Sequence, residues 1–225
     1  MSRSTCSACR RRPLRCYAWP FPPHLLGLLF LLALSLVACG GESGGTGASR
    51  PTASVGASPT ASLITAPGGV QLKLYRGDGF SIGYPPDWRV SPAGSSVEFS
   101  HEADSATVSV QVVPNPNAIT SPEETVTVSL DTIGKSGLYK NFKKIALEPT
   151  ASVGGETWQQ QGATGDVQIL GQQVSMEIIL LAANHPAHSS QTRLFSIYIA
   201  VPVARYQQLS ASALKPMLQS FRFLS

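Results

Sequence analysis

Cysteine is scarce in this 225-residue chain, and three of its four copies, Cys6, Cys9 and Cys16, stand ahead of a long apolar run. Only Cys39 lies at or beyond the end of that run, which excludes a disulfide framework and leaves the Cys6-x-x-Cys9 pair without the second pair a zinc site needs. Charge is also sparse, at 13 % of residues, and it is unevenly placed. Five of the 17 Lys and Arg precede Cys39, whereas all 13 Asp and Glu follow it. Beyond Cys39 the chain holds 12 basic against 13 acidic residues, so the overall +4 becomes −1. No basic stripe remains to displace the counterions of a nucleic acid, and nucleic-acid binding is excluded as a function. Nor does this part of the chain hold a glycine-rich loop leading to Lys at a helix start.

What is present begins with an address. Arg3, Arg10, Arg11, Arg12 and Arg15 precede the apolar run Leu25–Ala38, a pattern of a positively charged segment and a hydrophobic core that marks a signal peptide. Fourteen helical residues cover only about 21 Å of a ~30 Å hydrocarbon layer, so a permanent transmembrane anchor is not expected. The run ends Leu36-Val37-Ala38-Cys39-Gly40. This resembles the bacterial lipobox, in which Leu36 and Ala38 would be read by a lipoprotein signal peptidase and Cys39 would carry a diacylglyceryl group before cleavage. The resemblance implies an extracytoplasmic protein attached to the membrane through the lipid on Cys39.

Three segments follow from composition: a signal peptide over 1–38, a lipidated cysteine and linker over 39–69, and a globular domain over 70–225. Of the 30 residues from 40 to 69, 25 are Gly, Ser, Thr, Ala or Pro, too few hydrophobes to offset the entropy of ordering. Within the domain, alternation predicts strands at 71–75, 80–84, 97–99, 106–113, 144–148, 156–163, a hairpin over 167–183 turning at Gly171, and 193–201. Ser121-Pro122-Glu123-Glu124 forms a capping box and opens a helix over about 122–138. The stretch 204–223 reads as a final helix kinked at Pro216. Strands joined by hairpin-length connections, interrupted by two helices, predict an antiparallel α+β domain.

Several motifs in order resemble the PsbP-like superfamily: Gly79-Phe80-Ser81-Ile82-Gly83-Tyr84-Pro85-Pro86-Asp87-Trp88, the valine-alternating strand, Ser121-Pro122-Glu123-Glu124, Gly154-Gly155 before Trp158, and Leu218-Gln219-Ser220-Phe221-Arg222-Phe223. The resemblance covers about 80–225 and implies an α/β/α sandwich, one antiparallel sheet flanked by helices. It supplies no site that transfers residue by residue.

Candidate binding residues are few. Tyr84 and Trp88 could stack a sugar or peptide, although alternation of Phe80, Ile82 and Tyr84 along one strand points to packing. His101, His185 and His188 are the histidines beyond Cys39, and together with nearby carboxylates they are the metal candidates. Glu123 and Glu124 are accounted for by the helix start and its dipole. No cofactor is expected and no nucleophile stands beside a base, so the sequence reads as a non-enzymatic lipoprotein that binds or scaffolds another envelope protein. The alternative is a lipoprotein that binds a solute or metal and delivers it to a membrane system.

Overall fold

The computed structural model describes residues 62–224, so the signal segment and the lipobox at Leu36, Ala38 and Cys39 lie outside the described residues. The chain forms strands β1 (Leu63–Thr65), β2 (Gln71–Gly77), β3 (Phe80–Tyr84), β4 (Arg89–Ala93), β5 (Ser96–His101) and β6 (Ala106–Pro114), then helix α1 (Pro122–Lys135). Strands β7 (Lys140–Ile145), β8 (Thr150–Val153), β9 (Glu156–Ile169), β10 (Gln172–His185) and β11 (Arg193–Pro202) follow, and helices α2 (Val203–Leu209) and α3 (Lys215–Ser220) precede strand β12 (Arg222–Phe223). The first strand lies inside the stretch expected to be linker: Leu63 to Thr65 pair with Lys73 to Gln71.

Every strand pairing is antiparallel, and the strands form two sheets. One runs β1-β2-β3-β12; the other runs β4-β5-β6-β11-β10-β9-β7, with β8 also paired to β9. The expected α/β/α sandwich is therefore overturned. Strands take up 52 % of the described residues and helical turns 23 %, which makes this a two-sheet β architecture. The physical reason sits at Pro85-Pro86. Two residues without backbone donors end the ladder of β3, and the chain leaves that sheet to start β4 in the other. The small sheet thereby covers the face of the large sheet that a helical layer was expected to cover.

The large sheet has a different core on each face. Val108, Val110, Val112, Phe195, Ile197 and Ile199 point toward the small sheet, where they meet Phe80 and Ile82 and the helical residues Leu209, Leu214 and Met217. The opposite face carries Ile178, Leu180, Ala182 and Leu194, packed with Val126 and Leu130 of α1. That helix starts as its sequence dictates: the Ser121 hydroxyl accepts a hydrogen bond of 3.0 Å from Glu124 N–H, and Pro122 takes the first turn. It ends at Lys135, three residues short of the expected limit, and Gly137 follows with φ of 73°.

The C-terminal helical run is continuous from Val203 to Ser220 but bulges just ahead of Pro216. Ser210–Leu214 form a π-helical turn between α2 and α3, in which Lys215 N–H reaches back to Ser210 O, and this widened turn accommodates the N–H that Pro216 lacks. The helix ends at Ser220, and the Arg222–Phe223 pair that was expected to continue it instead adds β12 to β3, with Phe223 opposite Phe80. Among the described residues, no helix is long and apolar enough to cross a membrane.

Candidate functional site

Two places bring chemistry-bearing side chains together, at opposite ends of the large sheet. At the first, Trp88 is 6 % exposed and lies parallel to the His101 ring, centroids 6.1 Å apart. Tyr84 is half-buried, 5.3 Å from Phe99 in the core between the sheets. Trp88 is part of the core between the sheets, and Tyr84 packs against its margin. His101 Nδ1 is 3.0 Å from Asp104 Oδ2 and Nε2 is 3.4 Å from Asp87 Oδ2. Arg205 of α2 donates to Asp104 Oδ1 from Nε at 2.9 Å and from Nη2 at 2.6 Å. The Arg205 hydrogen bonds, its charge and the His101 contact hold the Asp104 carboxyl below the usual carboxylate range, against the opposing effect of burial. This network pins the corner after β5 to the C-terminal helix.

The second place is a cleft of about 340 Å³ lined by Val153, Gly154, Glu156, His185, Phe221, Arg222 and Phe223. It is built on a ladder of rings. Trp158, fully buried, lies parallel to Phe223 at 5.9 Å, and Phe223 lies parallel to His185 at 3.9 Å. Phe221 meets Trp158 and Phe223 edge-on at 5.2 Å and 5.1 Å, a geometry that locks the ladder sideways. Above it Glu156 Oε2 is 3.6 Å from His185 Nδ1, while Arg222 curls back so that Nη1 donates to Gln219 O at 2.7 Å and to Phe221 O at 2.5 Å. A carboxylate, an imidazole and a guanidinium therefore border one aromatic wall. The Trp158 indole N–H beneath has no hydrogen-bond partner among the described residues.

The turn before β9 makes this cleft possible. Gly154 has φ of 62° and donates to Leu218 O at 2.9 Å, and a Cβ there would stand 2.2 Å from Phe221 O. Only glycine lets the β8–β9 turn approach the C-terminal segment so closely.

The three histidines do not share a site. His101 faces Ala106 in the ladder and His185 faces Arg193, which in turn faces Pro114; the eight residues from 106 to 114 separate the two by about 26 Å along the sheet. His188 is exposed in the loop between β10 and β11. Among the described residues no three His, Cys, Asp or Glu side chains are grouped to hold a metal. Gln160 bonds the carbonyls of Glu148 and Thr150, Gln161 bonds Thr127, and Gln173 bonds Asp166. Sequence reasoning named His185 but not Glu156, Phe221, Arg222 or Phe223. The available signals were the Gly154-Gly155 pair and the aromatic–basic–aromatic run at 221–223.

No protein-family model matches the chain, and no curated protein matches it. Three solved structures are similar at low identity. LpqN of Mycobacterium tuberculosis, described as involved in cell envelope biogenesis, aligns at 11 % identity over 65 % of this chain and 83 % of its own, with a TM-score of 0.44. A Bacteroides thetaiotaomicron protein aligns at 11 % identity over 74 % of this chain and 50 % of its own, with a TM-score of 0.39. A Pseudomonas aeruginosa protein of unknown function aligns at 14 % identity over 63 % of this chain and 90 % of its own, with a TM-score of 0.34.

Proposed function

We propose that the protein is an extracytoplasmic lipoprotein, anchored through a lipid on Cys39, whose β domain is a non-enzymatic binding module for another envelope protein. The cleft bordered by Glu156, His185 and Arg222 carries the binding part of this reading. It offers groups of both charge signs beside an aromatic wall, the combination that polar-rimmed, aromatic-centred interfaces use. The lining contains no serine, threonine or cysteine to serve as a nucleophile next to the His185–Glu156 pair. The anchoring part rests on the apolar run ending in Leu36-Val37-Ala38-Cys39-Gly40.

Two experiments test the two parts. Cys39→Ser should leave an unprocessed precursor or release the protein to soluble fractions; unchanged processing and membrane retention refute the anchor. Wild-type protein from detergent-solubilised envelopes should co-purify reproducibly with one partner after cross-linking, and Glu156→Lys, which reverses charge at a half-exposed position, should lose it. A partner retained by the variant places binding elsewhere.

The cleft volume favours a second reading. About 340 Å³ falls at the lower end of the range for small-molecule sites, so a small polar solute is the alternative occupant. Calorimetry against amino acids and sugars decides it: heat abolished by Glu156→Lys supports a solute, and no heat removes that reading.

A further inference from the structure

The β9–β10 hairpin extends past the sheet that carries it. β11 pairs with β10 no further than Met176, and β7 pairs with β9 no further than Asp166, so residues 167–174 pair only with each other. The overhang from Ser175 to the turn is four residues, about 13 Å. Val167, Ile169 and Val174 rest on the α1-side core, so the projecting part is a supported finger.

Its tip is chemically odd. The turn is Leu170-Gly171 with φ of 49° and 80°, the two positive angles of a type I′ hairpin. That geometry favours Asn, Asp or Gly first, yet the position holds leucine, and its side chain is 100 % exposed. Leucine is disfavoured there twice, by its backbone angle and by water.

The charge beside the finger is distinctive as well. Lys135, Lys140, Lys143 and Lys144 fall within ten residues at the end of α1 and along edge strand β7, with Lys140 in register with Asp166. Lys144 pairs with Asp131 at 2.7 Å; for Lys135, Lys140 and Lys143 no ion pair within 4 Å occurs among the described residues. Asp166 already accepts hydrogen bonds from Asn141, Gln173 and Ser175. A domain with a slight acidic excess thus gathers cations at the base of the finger, with Lys140 opposite Asp166 and Lys143 opposite Thr164, and carries one exposed apolar side chain at its tip.

We infer that the β9–β10 finger is a membrane contact, inserting Leu170 into an anionic lipid surface while Lys135, Lys140 and Lys143 sit over the headgroups. The inference rests on the lipid anchor at Cys39. The 23 residues between Cys39 and Leu63 can carry the domain no further than about 80 Å from the bilayer even when fully extended, so the finger meets the surface at high local concentration. An apolar side chain with adjacent lysines is the combination that binds the interface of anionic bilayers, each lysine adding about fivefold in partitioning.

A spin label tests this on the mature lipoprotein reconstituted in vesicles of phosphatidylglycerol and phosphatidylethanolamine. Leu170→Cys gives a unique thiol, since Cys6, Cys9 and Cys16 precede the cleavage site and the Cys39 sulfur carries the diacylglyceryl group. Ile119→Cys, 81 % exposed beyond the opposite end of β6, is the control. The label at 170 should become poorly accessible to a water-soluble nickel chelate and more accessible to oxygen, while that at 119 stays water-exposed. Lys140→Glu/Lys143→Glu, phosphatidylcholine vesicles, or molar salt should each reverse the protection, the double variant by about 25-fold or more in partitioning. Equal water accessibility at 170 and 119 in protein that stays on the vesicles overturns the inference and leaves the anchor intact. Protection on native membranes but not on pure lipid assigns the tip to a protein partner and also overturns it. Protein that never associates with vesicles refutes the anchor, and the finger's role with it.

Discussion

Replacing Gly154 by alanine should cost far more than the same change at its neighbour Gly155. Both have positive φ, 62° and 89°, so both variants bear the strain of an L residue in the left-handed region, about 1–2 kcal/mol. The surroundings differ completely. A Cβ at 155 meets nothing within 4 Å, whereas at 154 it stands 2.2 Å from Phe221 O and 3.0 Å from Phe221 C, below the 3.4 Å at which ordinary contact begins. The turn or the C-terminal segment must retreat by more than 1 Å. That movement breaks the 2.9 Å bond from Gly154 N–H to Leu218 O, about 1 kcal/mol, and loosens the buried Phe221 against Phe80 and Trp158, about 1–2 kcal/mol more. Gly154→Ala should therefore lose about 3–5 kcal/mol, a large share of the stability of a domain this size, and Gly155→Ala about 1–2 kcal/mol. Urea unfolding at constant m-value measures both, with an expected Tm drop of about 8–15 °C for the first. Equal losses would refute the close-approach argument and reduce both glycines to turn residues. Because Phe221, Arg222 and Phe223 line the cleft, Gly154→Ala should also weaken partner capture while Gly155→Ala leaves it unchanged.

Trp88→Ala should cost about 3–5 kcal/mol in urea, and Trp88→Phe under about 2, because the ring fills core space; a neutral Trp88→Ala would reopen it as a ligand platform. Tyr139 and Tyr198 share a buried 2.9 Å hydroxyl contact, and burial raises both their pKa values, so Tyr198→Phe should lose about 1–2 kcal/mol by orphaning the partner hydroxyl. The Tyr139→Phe/Tyr198→Phe double variant should lose less than the two single losses summed, and simple additivity would deny the coupling. Asp104 is held below its ordinary pKa by Arg205 and His101, so its contribution is present above about pH 4 and is lost as pH falls through its lowered value. Asp104→Asn should accordingly destabilise by about 1–2 kcal/mol at pH 7, with the difference from wild type shrinking toward pH 3; a constant difference would sink the ion-pair account.

The long strands were legible because local patterning set them: valine alternation placed β6, and Gly171 placed the hairpin turn, whereas the short strands β1, β4, β8 and β12 carry too little alternation to be read. The layer arrangement was not, because the two devices that decide it are read only in three dimensions. Pro85-Pro86 looks like a strand end, but whether the next strand returns to the same sheet depends on where β4 finds partners, and it finds β5. Likewise Arg222-Phe223 follows helix-compatible residues, yet Phe221, Phe223 and Trp158 complete one aromatic cluster only if the chain turns back along β3. Tertiary burial of two large rings overrides a weak helical preference.

The same logic explains why Trp88 drew attention and the cleft did not. A tryptophan beside Pro-Pro-Asp is conspicuous in sequence, yet its packing was fixed by a histidine 13 residues away, at an angle of 8° between rings. The cleft is assembled from residues in three separate segments, 153–156, 185 and 221–223, and the motifs in two of them, Gly154-Gly155 and Phe221-Arg222-Phe223, do not say that the segments meet. What joins them is Gly154, whose meaning as a contact residue depends on a carbonyl 67 positions later in the chain. A site made by close backbone approach leaves only a glycine in the sequence, and glycine has many other reasons to be there. The structural mark that separates this reason from the others is the combination of positive φ with a backbone oxygen where the Cβ would be. Gly154 has both and Gly155 only the first, which is why the paired alanine substitutions test the construction of the cleft as well as its stability.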